Sequence, residues 1–168
     1  MRLHAGIAVL LAGLAAVAPA YPKNAPKYKT VETKHFDRAE GVELTPEFSD
    51  YLDAELRTEL QKTKRFGEII GEGEVVDPAD VATSLIVSGT LTEYKKGNVA
   101  TALLVGFGAG NRSLKMEANV TRRSDGQSLA SLQVHVRVDP RWSERFLARE
   151  AAENLAKEIK HALQHASS

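Results

Sequence analysis

Cysteine is absent from all 168 residues, which removes disulfides, thiolate nucleophiles and cysteine-ligated zinc together. It also removes the acceptor for an N-terminal lipid of the usual bacterial kind. Charge of one sign is missing as well, since 22 Lys and Arg face 22 Asp and Glu. A balanced chain is a poor match for nucleic acid or an anionic membrane surface, both of which reward a basic excess. Aromatic residues make up only 6%, with Trp142 the single tryptophan. The fold must therefore rest on an aliphatic core with no covalent staple. Repeats of solenoid length and low-complexity tracts are also absent, which leaves a chain of one ordinary domain.

The longest apolar run lies at the start, MRLHAGIAVLLAGLAAVAPA. Arg2 supplies a short positive region and Ala5 to Val17 an apolar one. Ala18-Pro19-Ala20 then offers the small-x-small pattern that signal peptidase reads. Residues 1–20 are expected to be a signal peptide cut after Ala20, an uncleaved anchor being the alternative. The run is too short to cross a hydrocarbon core of about 30 Å, which needs about 20 residues. The expected location is periplasmic or secreted, with no transmembrane segment after cleavage. Residues 21–28, with Pro22, Pro26 and the lysines around them, read as an extended tether. Residues 29–166 read as a single domain.

Residues 29–36 form the first expected strand, carrying Val31 and Phe36. Thr45-Pro46-Glu47 has the N-cap, the N1 proline and the early acid of a helix start. Phe48, Leu52, Leu56 and Leu60 follow at i, i+4 spacing, and Gly67 is expected to end the helix. Lys62, Lys64 and Arg65 then fall in its last turn, where cations suit the dipole. Residues 68–76 read as a glycine-interrupted strand and Asp77-Pro78-Ala79-Asp80 as a turn. Apolar and polar residues alternate over 83–94, Lys95-Lys96-Gly97-Asn98 reads as a hairpin turn, and the apolar 99–105 as the returning strand. Two cleaner strands follow, with Leu114, Met116, Ala118 and Val120 in one and Leu132, Val134, Val136 and Val138 in the other. Ser124-Asp125-Gly126 joins them. Asp139-Pro140 opens a last helix whose stripe is Phe146, Ala151, Ala152, Leu155, Ile159, Ala162 and Leu163. The order β-α-β-β-β-β-β-α predicts an α+β fold, a two-layer sandwich with a mostly antiparallel sheet covered by two amphipathic helices.

The most unusual segment is LLVGFGAGN, Leu103 to Asn111, with Gly106, Gly108 and Gly110 at alternate positions. The dinucleotide spacing G-x-G-x-x-G would need glycine where Asn111 stands, and a strand rather than a helix is expected to follow. Alternate glycines leave a side-chain-free strand face. That face suits a bulge or a close backbone, or else a docking or self-association edge anchored by Phe107. Both readings stand, and Gly106, Phe107, Gly108 and Gly110 are the candidate partner contacts. His161 and His165 have the spacing of a zinc-peptidase pair, but Ala162 occupies the place of the general base. They read instead as cations at a helix C-terminus, and no metal or cofactor is assigned. No G-x-S-x-G occurs, and Ser88-Gly89 lies inside a strand. The acid pairs Asp50 and Asp53, Asp77 and Asp80 belong to a solvated helix face and a turn, so no catalytic residue is assigned. Trp142 is either an exposed contact or a packed cap.

The run Ser88-Gly89-Thr90-Leu91-Thr92-Glu93-Tyr94, then Gly97-Asn98, then Leu104-Val105-Gly106-Phe107-Gly108-Ala109-Gly110, resembles the bacterial family called domain of unknown function 4410. The Asp125-Gly126 turn and the closing helix extend the resemblance over roughly Val31 to Leu163. It implies an exported envelope protein without an established activity. Many members look like lipoproteins, whereas this chain has no cysteine to acylate. Where the family often has an arginine before the glycine motif, this chain has Thr101-Ala102. Taken together, these readings point to a non-enzymatic binding or accessory protein of the cell envelope. It would act through a sheet edge or the GFGAG loop, on another envelope protein or on a second copy. The alternatives are a small-ligand or lipid binder with its pocket between sheet and helices, and after that a hydrolase.

Overall fold

The computed structural model describes residues 28–106 and 110–165. The expected signal peptide and nearly all of the tether lie outside them, as do Phe107, Gly108 and Ala109. The elements run β1 (Tyr28–Thr33), β2 (Asp37–Arg38), α1 (Pro46–Lys62), β3 (Phe66–Gly71), a 3-10 helix (Pro78–Thr83), β4 (Ser84–Lys95), α2 (Val99–Val105), β5 (Arg112–Arg122), β6 (Ser128–Val138) and α3 (Glu144–His165).

The strands make one six-stranded sheet in the order β3-β1-β4-β5-β6, with the two-residue β2 paired to β4. The sheet is mixed, which corrects the mostly antiparallel expectation. β1 pairs parallel with both β3 and β4, whereas β4, β5 and β6 run antiparallel. The parallel half follows from connectivity, because α1 separates β1 from β3 and a helical crossover returns the chain in the same direction. The antiparallel half is built by alternation. Leu114, Met116, Ala118 and Val120 of β5 are buried beside Leu85, Val87 and Leu91 of β4 and Val134, Val136 and Val138 of β6. A bulge between Leu91 and Glu93 inserts one residue in β4. It reverses the parity of the strand end, so that Tyr94 packs on the core and Glu93 and Lys95 join the opposite face.

α1 begins as expected at Thr45-Pro46, although the Thr45 hydroxyl donates to Glu144 at 2.7 Å rather than capping the helix, and Gly67 does not end it. The helix stops at Lys62, where the Thr63 hydroxyl bonds the Leu60 carbonyl at 2.6 Å. Lys64 takes the left-handed conformation at φ 55° that the glycine was expected to supply. Phe66 and Gly67 then enter β3, and Lys64 and Arg65 lie beyond the helix rather than in its last turn. The aspartate-proline turn is a 3-10 helix, with the Asp77 carboxylate accepting from Ala79 N at 2.8 Å.

The larger correction concerns 99–105, expected as a hairpin strand and found as α2. Asn98, which reads as turn residue in the sequence, caps the helix by accepting from Thr101 N at 3.1 Å. Ala and Leu in the middle of VATALLV favour a helix once it is capped. Residues of α1 and α3 form one apolar cluster with the buried sides of β1, β4, β5 and β6. Its centre comprises fully buried Leu52, Leu56, Leu85, Leu91, Leu155 and Ile159. Lys115, Glu117, Asn119, Gln133, His135 and Arg137 alternate with that cluster along β5 and β6 and are exposed.

Candidate functional site

The segment between β4 and β5 leaves the sheet and returns to it through two interlocked glycines. Asn98 N donates to the Gly110 carbonyl at 2.7 Å, closing the base of the excursion. Gly97 has φ +79°, and a Cβ there would sit 2.8 Å from Arg112 N and 3.0 Å from the Pro140 ring. Gly110 also has φ +79°, and its Cβ would run into the Asn98 carbonyl. Both positions combine a left-handed backbone with no room for a side chain, which only glycine satisfies. The close-backbone reading of the glycine motif therefore holds at Gly110. Gly106 differs, since it terminates α2 with nothing within 4 Å of a would-be Cβ. Phe107 and Gly108, the other candidate contacts, lie outside the described residues.

What the glycines hold out is α2, and no residue of it is buried. Leu103, Leu104 and Val105 are 75%, 86% and 72% exposed. Adjacent exposed aliphatic side chains of this kind are uncommon on the surface of a monomer. In the sequence the glycines stand out and these leucines do not. The signal available was the run VATALLV, too apolar for a solvent-exposed connection. A cavity of about 390 Å³ opens beside the helix, between Val99, Ala102 and Leu103 on one wall and Asp139, Pro140 and Arg141 on the other. Asp139 holds Arg141 by two side-chain hydrogen bonds of 2.8 and 2.7 Å. Those bonds and the Arg141 amide hold the Asp139 carboxyl down at about 2.

Several of the other singled-out side chains are engaged locally, while Asp50 and His161 are exposed. Asp80 pairs with Lys29 at 2.7 Å, and Asp77 caps the 3-10 helix. Asp53 accepts from or is paired with His35 Nδ1 at 2.6 Å. Burial raises the Asp53 pKa, and His35 works against that rise. Trp142 is 46% exposed, its ring centroid 3.7 Å from that of Phe146. It is a partly covered end-piece rather than a buried cap. Among the described residues no group of three metal-ligating side chains comes together. None of the described helices is long and apolar enough to cross a membrane.

No curated protein matches the sequence. Solved structures share the fold. The PelC dodecamer from Paraburkholderia phytofirmans superposes with a TM-score of 0.54 at 11% identity, over 79% of this chain and 87% of that one. Protein XCC0632 from Xanthomonas campestris, assigned to family DUF330, does so with a TM-score of 0.55 at 11% identity, over 89% of this chain and 92% of its own. The model of one family, described as domain of unknown function (DUF4410), matches residues 24–137, and the chain belongs to that family.

Proposed function

We propose that this protein is a non-enzymatic accessory component of the bacterial envelope that assembles with copies of itself through α2 and the adjoining glycine loop. The observation that carries the reading is the solvent exposure of Leu103, Leu104 and Val105 on a helix clamped in place by Gly97 and Gly110. An apolar surface that is rigidly presented loses little entropy on docking. The stretch Val99 to Gly106 carries no charge, so a second copy can pack on it without burying an unpaired ion, as suits homo-oligomer contacts. PelC, which has this fold, is a dodecamer. The N-terminal 20 residues read as a secretion signal, which supports a periplasmic or secreted site of action.

Sedimentation velocity on the exported protein, recovered from the periplasm, tests the reading. The wild type is expected to sediment as an oligomer at micromolar concentration, and Leu104→Glu as a monomer with an unchanged melting temperature. A wild type that stays monomeric across that range, or a Leu104→Glu variant that assembles equally well, overturns it.

A further inference from the structure

On the face of the sheet turned away from the core, the register brings side chains of three strands together. Glu93, Lys115 and His135 lie side by side on β4, β5 and β6, and Lys95, Ser113 and Arg137 form the next row. With strands about 4.8 Å apart, each row spans about 10 Å. Both rows line a cavity of about 470 Å³, closed at one end by Gly97, Asn98, Gly110 and Asn111. Glu93 is already shared between Lys115 at 2.7 Å and Lys95 at 3.1 Å. Among the described residues Arg137 donates a hydrogen bond to the His135 ring, through Nε at 3.3 Å, and pairs with no acid. Three cations thus converge with one carboxylate, and the forked end of one guanidinium is unused.

We propose that this groove binds a carboxylate-bearing saccharide, with the carboxylate on Arg137 and Lys115 and the sugar hydroxyls on Asn98, Asn111, Ser113 and Glu93. The unused guanidinium fork matches a carboxylate bidentately. The amides, the hydroxyl and the carboxylate around it offer both donors and acceptors, which a polyol can satisfy and an apolar ligand cannot. A phosphate would draw on convergent backbone N–H groups, yet one amide of the groove's wall, Asn98 N, is committed to the Gly110 carbonyl. The groove's lining does not include α2's exposed leucines, so a change at Leu104 leaves the ligand contacts in place.

Isothermal titration with the trimer of galacturonate tests this, beside its methyl-esterified form, the galacturonate monomer and inorganic phosphate. The acidic trimer is expected to bind. Arg137→Gln should bind at least about tenfold more weakly, the loss of a charge-assisted hydrogen bond, with its melting temperature unchanged. Leu104→Glu should bind like the wild type whatever its oligomeric state. Binding that the monomer matches identifies a free sugar acid, and tighter binding of the trimer identifies a polymer. The proposal falls if the esterified trimer binds equally, if phosphate displaces the trimer at equal concentration, if Arg137→Gln retains full affinity, or if no binding occurs at millimolar ligand.

Discussion

Glu32 lies on the interior strand β1 with 7% of its side chain exposed, and its Oε2 meets an Arg123 guanidinium that is 25% exposed. Its other oxygen accepts from Gly73 N at 3.3 Å. Arg123→Met keeps the apolar stem and removes the guanidinium, leaving a buried carboxylate with one amide for company. Removing one partner of a buried pair costs about 3–5 kcal/mol, because the other charge is stranded. The Gly73 amide stays and water reaches the Arg123 end, so the lower limit of about 3 kcal/mol applies. An unfolding entropy near 2.1 cal/mol/K per residue, over a domain of roughly 140 residues, turns that into a fall of about 10 °C in Tm. Glu32→Gln leaves instead a guanidinium that can turn to water, and should cost about 1 kcal/mol, or some 3 °C. The double variant strands no charge and should resemble the milder single change. Scanning calorimetry at pH 7 on all three proteins measures this asymmetry. An Arg123→Met protein within about 1 kcal/mol of wild type, or a double variant no better than Arg123→Met, would refute the argument that the stranded charge sets the cost.

Two further outcomes follow from local geometry. Gly89 lies in β4 where a Cβ would strike both the Phe36 ring and the Glu117 carbonyl, so Gly89→Ala should lose about 3 kcal/mol, the upper end of ordinary overpacking. A urea midpoint equal to that of wild type would contradict it. Glu93 is held down at about 2 by hydrogen bonds from Lys115 first and Lys95 second. A lowered acid pKa means the interaction favours the folded state above the ordinary value of 4.5 and is lost as pH falls toward 2. In Lys115→Gln the Glu93 carboxyl carbon, followed by NMR, should titrate closer to 4.5; a titration left in place would show that Lys115 is not the cause.

The elements that were legible in the sequence are those whose pattern repeats. α1, α3, β5 and β6 each carry several turns or pleats of one period, and one buried face explains most of their apolar positions, Tyr51 being an exposed exception. Strand direction leaves no such trace. The alternation of β4 is the same whether its neighbour runs parallel, as β1 does, or antiparallel, as β5 does. The single clue was the helix between β1 and β3, which a tight antiparallel hairpin would not accommodate. α2 was illegible for a different reason. VATALLV is apolar at nearly every position, so it has neither a period of two nor one of 3.6. What decides its state is the Asn98 side-chain cap and the bond that Asn98 N donates to the carbonyl of Gly110, a residue that sequence places on the far side of the segment. The groove was hidden entirely, because the bulge beside Thr92 moves Glu93 and Lys95 onto the outer face next to Lys115, Ser113, His135 and Arg137.

The excursion at α2 and the groove share one frame, and this determines which substitutions can separate their roles. Gly97, Asn98, Gly110 and Asn111 wall the groove, while Asn98 caps α2 and Gly110 clamps its base. A side chain at Gly110 would collide with the Asn98 carbonyl and the Ala102 amide at once. It would move the helix and the end wall of the groove together, so a defect in assembly and a defect in ligand binding would arrive in the same protein. Leu104 and Arg137 avoid this, since both are exposed and neither is among the groups that crowd Gly97 or Gly110. A protein changed at Leu104 retains the groove's frame, and one changed at Arg137 retains the clamp on α2. If Gly110→Ala abolishes both properties while Leu104→Glu and Arg137→Gln each abolish one, Gly110 is the point at which the two surfaces are framed together.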